Sequence, residues 1–164
     1  MPAYELAQLN IGRVKGSLDS PGMADFVASL DRINALADAS PGFLWRLKGE
    51  GDDATSLRPI GEQVLVNMSV WKDVDSLRKY VYRSAHAEVL RRRDEWFDRM
   101  SDAAIVLWWV RAGHRPSVDE ALSRLELLRS QGPTSEAFTF RAIYPVPGAV
   151  ENVGIDLGDE CPAT

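Results

Sequence analysis

The chain has 164 residues, 45% hydrophobic and 26% charged, which is the balance of a globular protein able to bury a core rather than of a disordered chain. A formal net charge of −5 argues against nucleic acid as a main partner, because phosphate contacts need a basic surface. The longest apolar stretch, Ala103 to Val110, is too short for a membrane-spanning helix of about 20 residues.

Tyr4 to Lys15 alternates in polarity and predicts a first strand. Ser20 before Pro21 marks a helix start, with Met23, Phe26, Val27, Leu30, Ile33 and Ala37 at helical spacing and Ser40-Pro41-Gly42 as its stop. Phe43 to Glu50 predicts a second strand and Gly49 to Pro59 a loop rich in Gly, Asp and Ser. Gln63 to Trp71 predicts a third strand, with Val64, Val66, Met68 and Val70 on one face and Leu65, Asn67, Ser69 and Trp71 on the other. Asp73 or Asp75 caps a long helix to about Met100, with Ser84 as a second start and a bend near Arg83. Within it, consecutive residues point about 100° apart, so Arg91, Arg92 and Arg93 form no single patch. Ala104 to Ala112 is apolar on both faces and is expected to be a central fourth strand. Ser117 and Glu120 have capping-box spacing for a further helix, stopped by Gly132-Pro133. Ala137 to Tyr144 predicts a fifth strand, and the Pro-, Gly- and acid-rich stretch beyond it a poorly ordered tail. The lone Cys161 allows no intramolecular disulfide, and the first residues lack the pattern of a secretory leader, so a cytoplasmic protein is expected.

The order β-α-β-β-α-β, then a helix and a strand, predicts an α+β, ferredoxin-like fold over residues 1–147, with 148–164 as the tail. Both helices are expected on one face of an antiparallel sheet. The other face is expected to be open and to carry Gln8, Asn10, Asn67 and Ser69. Two such faces meeting across a homodimer axis would enclose a semi-polar barrel.

Several blocks carry a resemblance: Ser40-Pro41-Gly42-Phe43-Leu44-Trp45, Ser69-Val70-Trp71, Tyr82-Arg83-Ser84-Ala85-His86, Arg93-Asp94-Glu95-Trp96-Phe97, Leu107-Trp108-Trp109, Ala112-Gly113-His114 and Gly132-Pro133-Thr134. From Tyr4 to Pro147 the chain resembles the bacterial family called domain of unknown function 3291. That resemblance implies the dimeric α/β-barrel superfamily. The superfamily includes cofactor-independent monooxygenases of antibiotic biosynthesis, cyclases, isomerases, stress proteins and haem enzymes.

His86 is the leading chemical candidate, because imidazole moves protons near neutral pH. The alternative is a histidine hydrogen-bonded to a neighbour at the helix bend. Tyr82, on the same stripe, and Asn67 join it as the catalytic set. Asn10 and Ser69 are placed to hydrogen-bond a substrate carbonyl or enolate. Trp45, Trp71, Trp108 and Trp109 are candidate aromatic walls, and Arg83 and Arg93 candidate carboxylate binders. His114 reads as a loop or capping residue. No nucleotide-binding, calcium, zinc or nucleophile-elbow pattern is present. Together with what the resemblance implies, these residues point to a small-molecule enzyme without cofactor or metal, of the monooxygenase, cyclase or isomerase type, acting on an aromatic or polyketide-like substrate. The alternatives are haem ligation by His86 and ligand binding without turnover.

Overall fold

A computed structural model describes residues 3–149. The expected tail therefore lies, apart from Gly148 and Ala149, outside the described residues. The elements are β1 (Tyr4–Val14), α1 (Ala24–Ala39), β2 (Phe43–Arg46), β3 (Val64–Trp71), α2 (Val74–Arg83), α3 (His86–Arg91), α4 (Arg93–Trp96), β4 (Phe97–Asp98), β5 (Ile105–Arg111) and α5 (Val118–Gln131).

Local chemistry places the boundaries. A single 3-10 turn, Pro21–Met23, leads into α1. Asp73 caps α2 by accepting from the Ser76 N–H at 2.8 Å. The long helix expected to Met100 is interrupted at Ser84, whose backbone is extended. Ser117 caps α5 by accepting from the Glu120 N–H at 3.1 Å. Only this half of the capping box forms, because the Glu120 carboxylate turns to His114 at 2.7 Å and to the Trp108 indole at 3.3 Å.

All strand pairs are antiparallel, and the order β2-β3-β1-β5 is the ferredoxin-like one. The two-residue β4 extends the β5 side of β1 at Arg13 and Val14. Two expectations need correction here. The fourth predicted strand is β5, which is not central: it pairs with β1 alone. Among the described residues, backbone pairing on its outer side is limited to Phe138, which exchanges two 2.8 Å bonds with Leu107. The predicted fifth strand does not form. Bridges Thr134–Ala137 and Thr139–Ala142 fold that segment back on itself twice, leaving one residue to pair with the sheet.

The sheet separates two cores. Odd-numbered β1 residues Ala7, Leu9 and Ile11 pack with Val64, Val66, Met68 and Val70 of β3, Val106, Trp108 and Val110 of β5, and Ala121, Leu125 and Leu128 of α5. The centre of this face is apolar and buried, with Glu5 and Arg13 at its two ends. On the other face, Leu6, Trp71 and Leu107 pack with Leu77 and Phe138, while Val14 and Leu65 pack with Met23, Phe26 and Trp96. Helices α1, α2 and α3 lie on that second face. The expected open face is thus overturned: α5, with Leu47 and Leu57 of the segment after β2, packs on the sheet opposite α1–α3, and the polar residues point towards the helices instead of away from them.

Candidate functional site

Strand register builds the site. Across the helix-covered face, one row of opposed residues is Phe43, Trp71, Leu6 and Trp109. The next is Arg46, Ser69, Gln8 and Leu107, and the third is Asn67, Asn10 and Ile105. Leu65 opposite Gly12 closes the set. A two-row polar band thus crosses the strands between apolar rows. Over it lies a cavity of about 350 Å³, roofed by residues of α1, α2 and α3 that include Phe26, Leu30, Ile33, Tyr80, His86 and Leu90.

The band is cross-linked. The Gln8 side-chain amide donates to Asn67 Oδ1 and to Ser69 Oγ, each at 2.8 Å, and the Trp71 indole donates to Ser69 Oγ at 2.8 Å. An indole N–H can only donate, so Ser69 Oγ is the acceptor in that bond. Gln8 and Ser69 are buried, whereas Asn67 opens to the cavity.

At the band's edge, Arg46 is only 6% exposed. Its guanidinium grips Asp38 of α1 at 2.8 Å and, in the loop after β2, both the backbone carbonyl and the carboxylate of Asp52. The Asp38 contact, with the Asp52 charge, raises the Arg46 pKa against the effect of burial. Arg46 therefore holds the loop that carries Asp53, Ala54 and Thr55 against the cavity rim.

The helical wall is aromatic. Phe43 meets Trp71 edge-on at 5.3 Å, Trp71 stacks on Tyr80 at 5.1 Å, and Tyr80 lies 4.8 Å from the His86 ring. Burial raises the Tyr80 phenol pKa, so that group stays neutral. His86 follows the break between α2 and α3, and its Nδ1 bonds the Val81 carbonyl at 3.2 Å. A carbonyl accepts only, so Nδ1 carries the proton and Nε2 the lone pair. Nε2 has no hydrogen-bond partner among the described residues. Burial lowers the His86 pKa, although the Val81 bond opposes the shift. The side chain is therefore a neutral base in a cavity.

Of the predicted site residues, His86, Asn67, Tyr82, Asn10, Ser69, Trp71 and Arg93 line this one cavity. Tyr82 is 53% exposed and meets Phe140 edge-on at 5.8 Å, at the mouth. The remaining four do not line it. Trp45 and Trp108 face the α5 side of the sheet, because they stand opposite Val70 and Ala7 of that face. Trp109 packs on Phe138 and donates to the Tyr144 carbonyl at 3.0 Å. Arg83 is exposed at the end of α2. Gln8, Arg46, Tyr80, Asn34 and Phe140 line the cavity without having been singled out as site residues. Gln8 was legible as part of the polar face. Arg46 and Tyr80 gave no signal, since their partners Asp38, Asp52 and Trp71 become neighbours only through the fold. Among the described residues no cluster of His, Cys, Asp or Glu can hold a metal ion.

Comparison with known proteins places the chain in a family. The model of the family described as domain of unknown function (DUF3291) matches residues 5–153, and the chain belongs to that family. No curated protein matches it. Among solved structures, SnoaB of Streptomyces nogalater, a cofactor-independent oxygenase, is 18% identical with a TM-score of 0.46 over 71% of this chain and 98% of its own. A conserved protein of Methanosarcina mazei Go1 is 15% identical with a TM-score of 0.47 over 66% of this chain and 92% of its own.

Proposed function

For this member of the DUF3291 family, we propose a small-molecule enzyme that binds an aromatic or polyketide-like substrate between the sheet and α1–α3 and removes a proton beside a carbonyl. One observation carries the reading: a neutral imidazole with a free Nε2 opens into the same apolar-walled cavity as the polar band. His86 Nε2 takes the proton and becomes an imidazolium. The electron pair of the broken C–H or O–H bond passes to the substrate oxygen, where Asn67 and Ser69 donate to it. Trp71 and Tyr80 supply flat surface for the ring system, Asn10 adds a further polar group, and Tyr82 and Arg93 stand at the rim. Proton removal of this kind opens cofactor-free oxygenation, cyclisation and isomerisation alike. The groups named all belong to one chain, so a second copy is not needed to line the cavity.

The test does not require the natural substrate. Deuterium exchange at the carbon between the carbonyls of an aromatic 1,3-diketone, followed by NMR, should be accelerated by the protein. His86→Gln should slow it about 10²–10⁴-fold with binding retained. Exchange at the wild-type rate in that variant would end the assignment of His86 as base.

Haem ligation by His86 is a second reading, supported by the same free Nε2. The residues fit in that respect alone, because the nearest aromatic face, Tyr80, is already stacked between His86 and Trp71. A Soret band on adding haemin, abolished by His86→Gln, would favour it.

A further inference from the structure

The cavity floor holds an arrangement that composition does not reveal. A hydroxyl oxygen has two acceptor positions and one O–H. Both acceptor positions of Ser69 Oγ are taken, by the Gln8 amide and the Trp71 indole at 2.8 Å each. Its O–H has no acceptor among the described residues, so donation is the one function it has left. Asn67 is committed in the same sense. Its Oδ1 accepts from the Gln8 amide at 2.8 Å, which turns the side chain so that Nδ2, without a protein partner among the described residues, faces the cavity. One amide nitrogen thus sets the polarity of two neighbouring side chains.

The geometry points to Gln8 as the positioning residue that turns Ser69 and Asn67 into a two-donor clamp for an oxygen anion, a phenolate or an enolate. The inference rests on the cavity being the binding site for aromatic substrates, and it adds the residue that fixes the two donors before the charged form is bound. Gln8 acts through its neighbours and need not touch the ligand. Because it is buried between β3 and β5 on β1, it keeps one rotamer while the ligand comes and goes. Donors fixed before the charge develops need no reorganisation when it does.

The probe is alizarin, a hydroxyanthraquinone whose ionised form absorbs at longer wavelength than its neutral form. Absorbance titration across pH reads the affinity of each form. Wild-type protein should bind the ionised form at least tenfold more tightly than the neutral one. Gln8→Met keeps the length and apolar packing of the side chain but frees Ser69 and Asn67 to rotate, so the preference should fall to about threefold or less while the dye stays bound. Gln8→Glu, acceptor-only when ionised, should draw the Ser69 O–H and an Asn67 N–H to itself and give the same loss. Near-UV circular dichroism checks that each variant is folded. If neither is, Ser69→Ala, which deletes one donor at a small cost in volume, must reduce the preference by itself. Equal affinity of the wild type for both forms, or a preference unchanged in the Gln8 variants, would overturn the clamp and leave the aromatic cavity standing. No binding of the dye at all would overturn both.

Discussion

The two nitrogens of His86 have separate duties. Nδ1 is spent on the Val81 carbonyl, at the break between α2 and α3, so the residue serves the backbone. That bond also selects the tautomer that leaves Nε2 basic. The structural reading of this histidine holds at Nδ1, and the proposed proton transfer would fall to Nε2. A pH dependence follows. Burial holds the folded-state pKa below the ordinary 6.5, so between those two values the unfolded chain binds a proton that the folded chain refuses. Stability is full above about pH 6.5 and declines as pH falls towards the folded-state pKa. His86→Gln should lack this component. Urea midpoints at pH 8 and pH 5 should differ more for the wild type than for the variant, and an equal difference in both would show that His86 is not buried neutral.

At the scale of elements, breaks and turns set where the site residues point. If α2 continued through Ser84, residue 86 would keep helical phase with Tyr82. The break instead tucks the His86 ring back beneath Tyr80. The end of α4 matters equally, because Phe97 leaves it in extended conformation and lies over Gly12 of β1. A Cβ at Gly12 would sit 2.7 Å from the Phe97 ring. Phe97 meets Phe26 edge-on at 5.2 Å, so it cannot yield without disturbing α1. Gly12→Ala should cost about 1–3 kcal/mol, as overpacking does. It should also push Phe97 into the cavity and weaken binding of a flat aromatic probe. Unchanged thermal stability and unchanged probe affinity together would contradict this packing.

For the whole molecule, the sheet is a partition with an apolar side and a cavity side. The apolar side is covered over β1 and β5 by α5, whose Ala121, Leu125 and Leu128 share a core with Trp108 and the odd-numbered residues of β1, and Leu47 and Leu57 from the segment after β2 pack on the same core. Leu125→Ala should cost about 2–5 kcal/mol, the usual range for a buried leucine, whereas exposed Glu126→Ala should stay within about 0.5 kcal/mol. Chemical denaturation of the two variants checks this. Similar small effects from both would mean that α5 does not pack on that core.

Much of this protein was legible in its residues alone. Alternation along β1 and β3, the helix starts at Asp73 and Ser117, and the stops at Gly42 and Gly132 depend on neighbours within a few positions. They yielded the ferredoxin-like order and a polar face containing Gln8, Asn10, Asn67 and Ser69. Periodicity says which residues share a face, but not what covers it. Only the tertiary structure decided that the polar face lies beneath α1–α3 and that α5 packs on the apolar one, so that the polar residues line a cavity within one chain. It likewise decided that Trp71 lines the cavity while Trp45, Trp108 and Trp109 do not. The same holds for Arg46, Tyr80 and Gln8, which acquire their parts from Asp38 and Asp52, from Trp71, and from Asn67 and Ser69. Those pairings arise from helix docking, loop closure and strand register, the long-range geometry that no local pattern encodes.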